Sequence, residues 1–259
     1  MGDEWAGRVA RAERLSAQGD AASPLLAFYT LVLRWQADAS ASLRRSSLSG
    51  AIDRDLPSIR PVVPALLSTV AQHGPALLAA EAARLSDSST TTLEQTLLTW
   101  WDAPSDRQFF PKAILQPYAA ALAAAQIAPA RRDASIRADG RCPFCAGAPQ
   151  LSMLTAAGGG DGGGRQLLCA TCLTAWPYRR IRCAHCGEED ERKLSYFHSP
   201  AFDHLRVDAC DACARYLKTV DLTRLGLAVP LVDEVAAATL DVWARERGYE
   251  KIELNLVGL

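Results

Sequence analysis

Arg141-Cys142-Pro143-Phe144-Cys145 and Arg182-Cys183-Ala184-His185-Cys186 stand 41 residues apart, and the same step carries Cys169-Ala170-Thr171-Cys172 onto Cys210-Asp211-Ala212-Cys213. These four Cys-x-x-Cys pairs hold all eight cysteines of the chain. In each half, 23 residues separate the two pairs. An offset kept across four positions marks an internal repeat of one module with four thiols per copy.

Cys-x-x-Cys puts two sulfurs on one tight turn, where both can reach a single ion. A second such turn, one hairpin further on, supplies two more. This is the layout of zinc-ribbon and rubredoxin-like sites, with four sulfurs around one metal. The spacing therefore predicts two metal sites: Cys142, Cys145, Cys169 and Cys172 in the first, and Cys183, Cys186, Cys210 and Cys213 in the second. In the alternative pairing, Cys169/Cys172 would join Cys183/Cys186, and the outer pairs would meet each other. Four thiolates suit iron and zinc alike. A copy of about 40 residues buries too little apolar surface to fold alone. Structural zinc contributes on the order of 10–16 kcal/mol in finger peptides, so the metal is expected to supply the folding energy of each module. Glycine after a pair, as in Ala146-Gly147 and Gly187, lets backbone N–H groups turn toward sulfur. His185 lies inside a pair and is expected at the surface rather than on the metal. Arg179, Arg180 and Arg182 read as a basic contact surface or a solvated linker.

Outward from the repeat, residues 1–135 read as a helical domain. Trp5, Val9 and Ala12 recur at helical spacing, and Ser23-Pro24 reads as a cap and first turn. The run from Leu25 to Trp35 is apolar nearly all round and is expected at a bundle centre. Further helices fit Val62–His73, Ala76–Leu85, the face of Leu93, Leu97, Trp100 and Trp101, and an Ala-rich segment that Pro117 is expected to kink or restart. Pro129 to Gly140 reads as a linker, and Gly158 to Gly164 as a loose hairpin tip. The glycine run lacks the Gly-Lys-Ser/Thr ending of a phosphate-binding loop. Tyr216 to Val220 is strand-like. One last helix follows Pro230 and ends near Gly248, and Ile252, Leu254 and Leu256 alternate as a strand. The expected fold is α+β. It has a helical domain (1–135), two tandem rubredoxin-like/zinc-ribbon modules (136–181 and 182–225) and a C-terminal helix with a short strand (226–259).

Composition excludes several functions. The 259 residues carry a formal net charge of −1, so no overall basic balance points to nucleic acid. Within 141–220, ten Lys/Arg face eight Asp/Glu, a weak excess for a nucleic-acid ribbon. The start is acidic, with neither the basic nor the apolar part of a signal peptide, and Gly2 lacks the myristoylation pattern. No apolar run approaches a membrane span. The expected location is the cytoplasm, where clustered thiols are metal ligands before they are disulfides. No carboxylate pair, Ser/His/Asp set or nucleotide motif argues for catalysis, and no catalytic residue is assigned.

The four pairs, with Trp176 after the second and Tyr216-Leu217-Lys218 after the fourth, resemble the formate dehydrogenase accessory protein family FdhE. So does Lys112-Ala113-Ile114-Leu115-Gln116-Pro117-Tyr118 upstream. The likeness covers roughly residues 90 to 250. It implies a cytoplasmic, chaperone-like maturation factor, not an enzyme, that binds the catalytic subunit of respiratory formate dehydrogenase before export. It also implies rubredoxin-like sites, with iron favoured over zinc, and neither nucleic acid nor membrane insertion. The rival readings are a nucleic-acid-binding zinc ribbon and an iron-dependent redox factor acting on a client enzyme.

Overall fold

The computed structural model describes residues 3–130, 140–156 and 164–259. The expected linker from Pro129 to Gly140 and the glycine run from Gly158 lie largely outside these residues, as does Gly2. The chain divides into two compact units: Met1–Ser135 with Leu256–Gly258, and Ile136–Asn255 with Leu259.

The first unit holds seven α-helices among its described residues: α1 (Asp3–Ser16), α2 (Ser23–Leu43), α3 (Ile52–Ile59), α4 (Val63–His73), α5 (Ala76–Asp87), α6 (Thr90–Asp102) and α7 (Phe109–Ala125). As its all-round apolar sequence requires, α2 is central and packs against α1, α3, α4 and α7. Ser23 does not cap it, and no side chain does; Asp20 instead shapes the turn before it, accepting from the Ala22 amide at 3.0 Å and the Ser23 hydroxyl at 3.1 Å. Ser89 does cap α6, accepting from the Thr92 amide at 3.2 Å. α7 continues through Pro117 instead of restarting there. It is buried from Phe109 to Ala119, so surrounding packing holds it across the missing N–H.

The second unit is one sheet backed by two helices. Its strands are β1 (Pro149–Thr155), β2 (Gly164–Cys169), β3 (Ala175–Tyr178), β4 (Leu194–His198), β5 (Leu205–Cys210), β6 (Arg215–Asp221) and β7 (Glu250–Lys251), with α8 (Pro230–Ala236) and α9 (Ala238–Glu246) before β7. The sheet order is β3-β2-β1-β6-β5-β4, with β7 beside β6. Adding 41 to the bounds of β2 gives those of β5, and β3 shifted by the same step falls inside β6. The repeat is thus structural as well as sequential. Each copy is an antiparallel three-stranded piece, and the copies join head to tail where β1 runs parallel to β6. At this seam Ser152 pairs with Thr219, their hydroxyls 2.6 Å apart.

One face of the sheet carries the core. Leu205, Val207, Ala209, Tyr216 and Val220 meet Ala237, Leu240 and Ala244, while Leu151, Met153 and Leu168 meet Leu231. Each fully buried large apolar side chain contributes roughly 1.5–3 kcal/mol.

Two expectations are corrected at the C-terminus. The single last helix is two, broken at Ala237 (φ −89°, ψ 40°). Lys218 reaches up from β6 and donates its ammonium to the carbonyls of Glu234 and Ala237. The Glu234 carbonyl thus takes a donor from the sheet at the break, while the Ala237 carbonyl also accepts from the Leu240 amide at 3.1 Å. Ile252, Leu254 and Leu256, expected to alternate as a strand, form none, and the short β7 lies just before them at Glu250–Lys251. β7 pairs with Arg215 and Tyr216 of β6, but from Lys218 onward that edge belongs to β1, so a longer β7 has no edge to join.

Candidate metal centres

The four Cys-x-x-Cys pairs fold alike. In each, the residue after the second cysteine has positive φ: Ala146 (58°), Leu173 (59°), Gly187 (77°) and Ala214 (53°). The Cys142 amide donates to the Gly147 carbonyl at 3.0 Å and the Ala146 amide to the Cys142 carbonyl at 2.9 Å. Cys183 repeats this with Glu188 and Gly187, and Cys169 donates likewise to Thr174. A left-handed residue closes each loop and aims both sulfurs to one side. Glycine fills that position only at Gly187. In the first module Ala146 adopts it, and Gly147 answers a different need. A Cβ on Gly147 would lie 2.8 Å from Cys169 Sγ and 2.9 Å from Thr171 Oγ1.

The turns bring the thiols together in two sets of four: Cys142, Cys145, Cys169 and Cys172, and Cys183, Cys186, Cys210 and Cys213. In the first set, Cys142–Cys172 sulfurs are 3.5 Å apart, and Cys145 lies 3.4 Å from both Cys169 and Cys172. In the second, Cys183–Cys213 measures 3.8 Å and Cys186–Cys210 3.7 Å. All eight are free thiols, far beyond the ~2.05 Å of a disulfide. Four sulfurs at ~2.3 Å from one ion stand about 3.8 Å apart in a tetrahedron. The donor set and its spacing therefore fit, and the two clusters could hold two metal ions.

Their electrostatics point the same way. Hydrogen bonds from Cys145, Cys169 and Cys172 draw the Cys142 thiol well below its ordinary value. Burial pushes Cys169 well above it, and hydrogen bonds that favour its protonated form add to this. Cys172 is raised too, first through its bond to Cys142. Cys145 is drawn down alongside Cys142, so the set divides into two lowered and two raised thiols. A bound cation would displace their protons and let all four ionise. In the second set, burial raises Cys210 to about 11, and it raises Cys213 as well.

The surroundings differ between the sets. The amides of Thr171 and Cys172 donate to Cys169 Sγ at 3.3 and 3.5 Å, and Cys172 Sγ donates to Thr174 Oγ1 at 3.2 Å. The first set is wholly buried, whereas Cys186 is exposed and Cys213 half-buried. His185 is exposed, and only its amide, 3.4 Å from Cys183 Sγ, serves the site. Beside the second set a cavity of about 430 Å³ is lined by Cys183, Cys210, two acids (Glu191 and Asp208) and five arginines, Arg165, Arg180, Arg182, Arg206 and Arg215. Arg165 was not visible from sequence, because it matches no spacing rule. It is buried on β2 and donates to the carbonyls of Arg179, Arg180 and Arg182, tying down that basic run. Arg179 and Arg182 both meet Glu189. No helix among the described residues is long and apolar enough to cross a membrane.

Comparison with known proteins bears on the same stretch. The family model described as "FdhE, central domain" matches residues 141–180, and "FdhE, C-terminal domain" matches residues 181–257. An FdhE homolog of Aquifex aeolicus is 38% identical over 117 residues, 45% of this chain and 41% of its own length. One from Pseudomonas aeruginosa is 34% identical over 125 residues, covering 45% and 38%. The matched stretch thus spans about two fifths of these relatives. The crystal structure of the FdhE protein from Pseudomonas aeruginosa aligns with 99% of this chain and 96% of its own, with a TM-score of 0.70 at 22% identity, which shows a shared fold.

Proposed function

With the chain belonging to the FdhE family through residues 141–257, we propose that it is an accessory factor for formate dehydrogenase: a binding protein without turnover of its own that engages the catalytic subunit in the cytoplasm before export. In this reading Cys142, Cys145, Cys169 and Cys172 hold one metal ion, and Cys183, Cys186, Cys210 and Cys213 a second. Iron is favoured by the family resemblance, and zinc is compatible with the same ligands. The metals supply folding energy and fix the loops that carry the cysteines. The observation that carries the reading is the coincidence of two complete four-sulfur clusters with the two matched domains. Neither nucleic acid nor a membrane has a part in it.

The test is direct association. Metal-loaded, reduced protein is passed over immobilised formate dehydrogenase catalytic subunit from the same organism, in parallel with protein stripped of metal. Retention of the loaded form and loss of the stripped form are expected. No retention of the loaded form would sink the proposal.

A further inference from the structure

The repeat makes two centres of equal ligand count, yet the structure treats them unequally. Every sulfur of the first belongs to a residue no more than 3% exposed. The amides of Thr171 and Cys172 and the hydroxyl of Thr174 close around them, and Gly147 leaves no room for even a methyl group. In the second, Cys186 opens to solvent on one side. On another, Cys183 and Cys210 line the arginine-rich cavity. Arg206 is tied to Asp208, and Arg215 to Glu250. Arg180 is exposed and its guanidinium makes no ion pair among the described residues, so it stands free at the cavity to meet an incoming anion.

We propose that the second centre is the exchangeable one: its metal enters and leaves by way of Cys186, oxyanion-bearing chelators approach through the arginine-lined cavity, and the first centre is a permanent staple. This rests on the reading that both clusters hold metal. An incoming ligand must touch the ion, or a thiolate must detach and be trapped. Both happen at an exposed sulfur without unfolding, whereas a sealed site must first open locally. No electrons are transferred. Each metal–sulfur bond that breaks leaves a thiolate, which takes a proton from solvent or is alkylated, and the ion passes to the chelator's carboxylates. Positive charge along the cavity raises the local concentration of an anionic chelator.

The experiment uses the full chain, loaded with Zn²⁺ without oxygen and challenged with excess EDTA. Released metal is followed in time, and iodoacetamide-labelled cysteines are mapped by mass spectrometry. Two phases of one metal each are expected, separated by about tenfold or more in rate. Cys186 and Cys213 should be labelled in the fast phase, and Cys142, Cys145, Cys169 and Cys172 only in the slow one. Arg180→Glu should slow the fast EDTA phase about threefold while leaving release to neutral 1,10-phenanthroline unchanged. Cys186→Ser should abolish the fast phase. If that variant does not fold, the labelling order in the unaltered protein decides. One phase releasing both metals, or earlier labelling of the first centre, overturns the inference. Two metals leaving at equal rates refute it alone, whereas a protein that takes up no metal refutes the underlying reading as well.

Discussion

Replacing Lys218 by methionine tests the least sequence-like feature of the second unit. Lys218, Lys251, Glu234 and Asp241 form two positive and two negative charges, and all four side chains are fully buried. The Lys218 ammonium meets Asp241 closely and Glu234 at 3.1 Å, while Lys251 meets Glu234 closely and Asp241 at 3.1 Å. Tyr216 donates to Asp241 at 2.8 Å and Asn255 to Glu234 at 2.9 Å. A charge pair at that separation, in an effective dielectric of about 20, attracts by about 5 kcal/mol, which must offset several kcal/mol of desolvation per ion. The balanced cluster is therefore close to neutral in net worth, but the unbalanced one is not. Lys218→Met leaves two carboxylates facing one ammonium. It also removes the ammonium that donates to the Glu234 carbonyl, while the Ala237 carbonyl keeps the Leu240 amide. The expected loss is about 3–5 kcal/mol, read as a fall of 1–2 M or so in the urea midpoint of metal-loaded protein. Adding Asp241→Asn restores the charge balance and keeps an acceptor for Tyr216, so the double variant should be more stable than Lys218→Met alone. A single-variant loss below about 1 kcal/mol, or a double variant less stable than the single, would refute this account of the network.

Three further outcomes follow from local geometry. Burial pushes the Glu234 carboxyl up, but Lys218 and Lys251 outweigh it and hold it at about 2, against an ordinary 4.5. Its contribution, about 3 kcal/mol, is complete above the unfolded value and is lost as pH falls from about 4.5 toward 2, so urea titrations should show stability falling through that window and Glu234→Gln should flatten it. Gly147→Ala drives a methyl group into Cys169 Sγ and should cost about 1–3 kcal/mol along with metal at the first centre, whereas Gly226→Ala, whose added Cβ would meet only the Leu222 carbonyl oxygen at 3.8 Å, should change neither. In the helical unit, Asp55 accepts from the Ser49 and Gly50 amides and from Tyr118 at 2.8 Å, so Tyr118→Phe should cost about 1–3 kcal/mol in thermal or urea unfolding.

What the sequence made legible was what depends on spacing. The 41-residue step grouped the thiols in fours, and apolar runs located most helices, because ligand turns and amphipathic faces are properties of neighbouring residues. What escaped depends on residues far apart in the chain. The break between α8 and α9 meets the ammonium of Lys218 on β6, and the length of β7 is limited by the competing β1. The fusion of both copies into one sheet follows from parallel pairing between Leu151–Leu154 and Lys218–Asp221, which no local pattern announces. Arg165 gains its role only because the fold brings three carbonyls of a distant loop to its guanidinium.

The backbone of the cysteine turns gives an energetic reason, beside the geometric one, why bound metal would suit this fold. Three of the four left-handed positions hold a side chain: Ala146, Leu173 and Ala214. Each costs roughly 1–2 kcal/mol relative to glycine in that region. Four crowded, buried thiols supply no comparable attraction to offset such strain. A four-thiolate ion does, at on the order of 10 kcal/mol per site. The sheet then decides how that energy spreads. Because β1 and β6 are hydrogen-bonded neighbours that both pack on α8, a metal at either centre would secure strands also held by the other copy. One centre can thus stay sealed and carry the fold while its twin is left open at Cys186, a division of labour that two separate modules of this size, each dependent on its own ion, could not sustain.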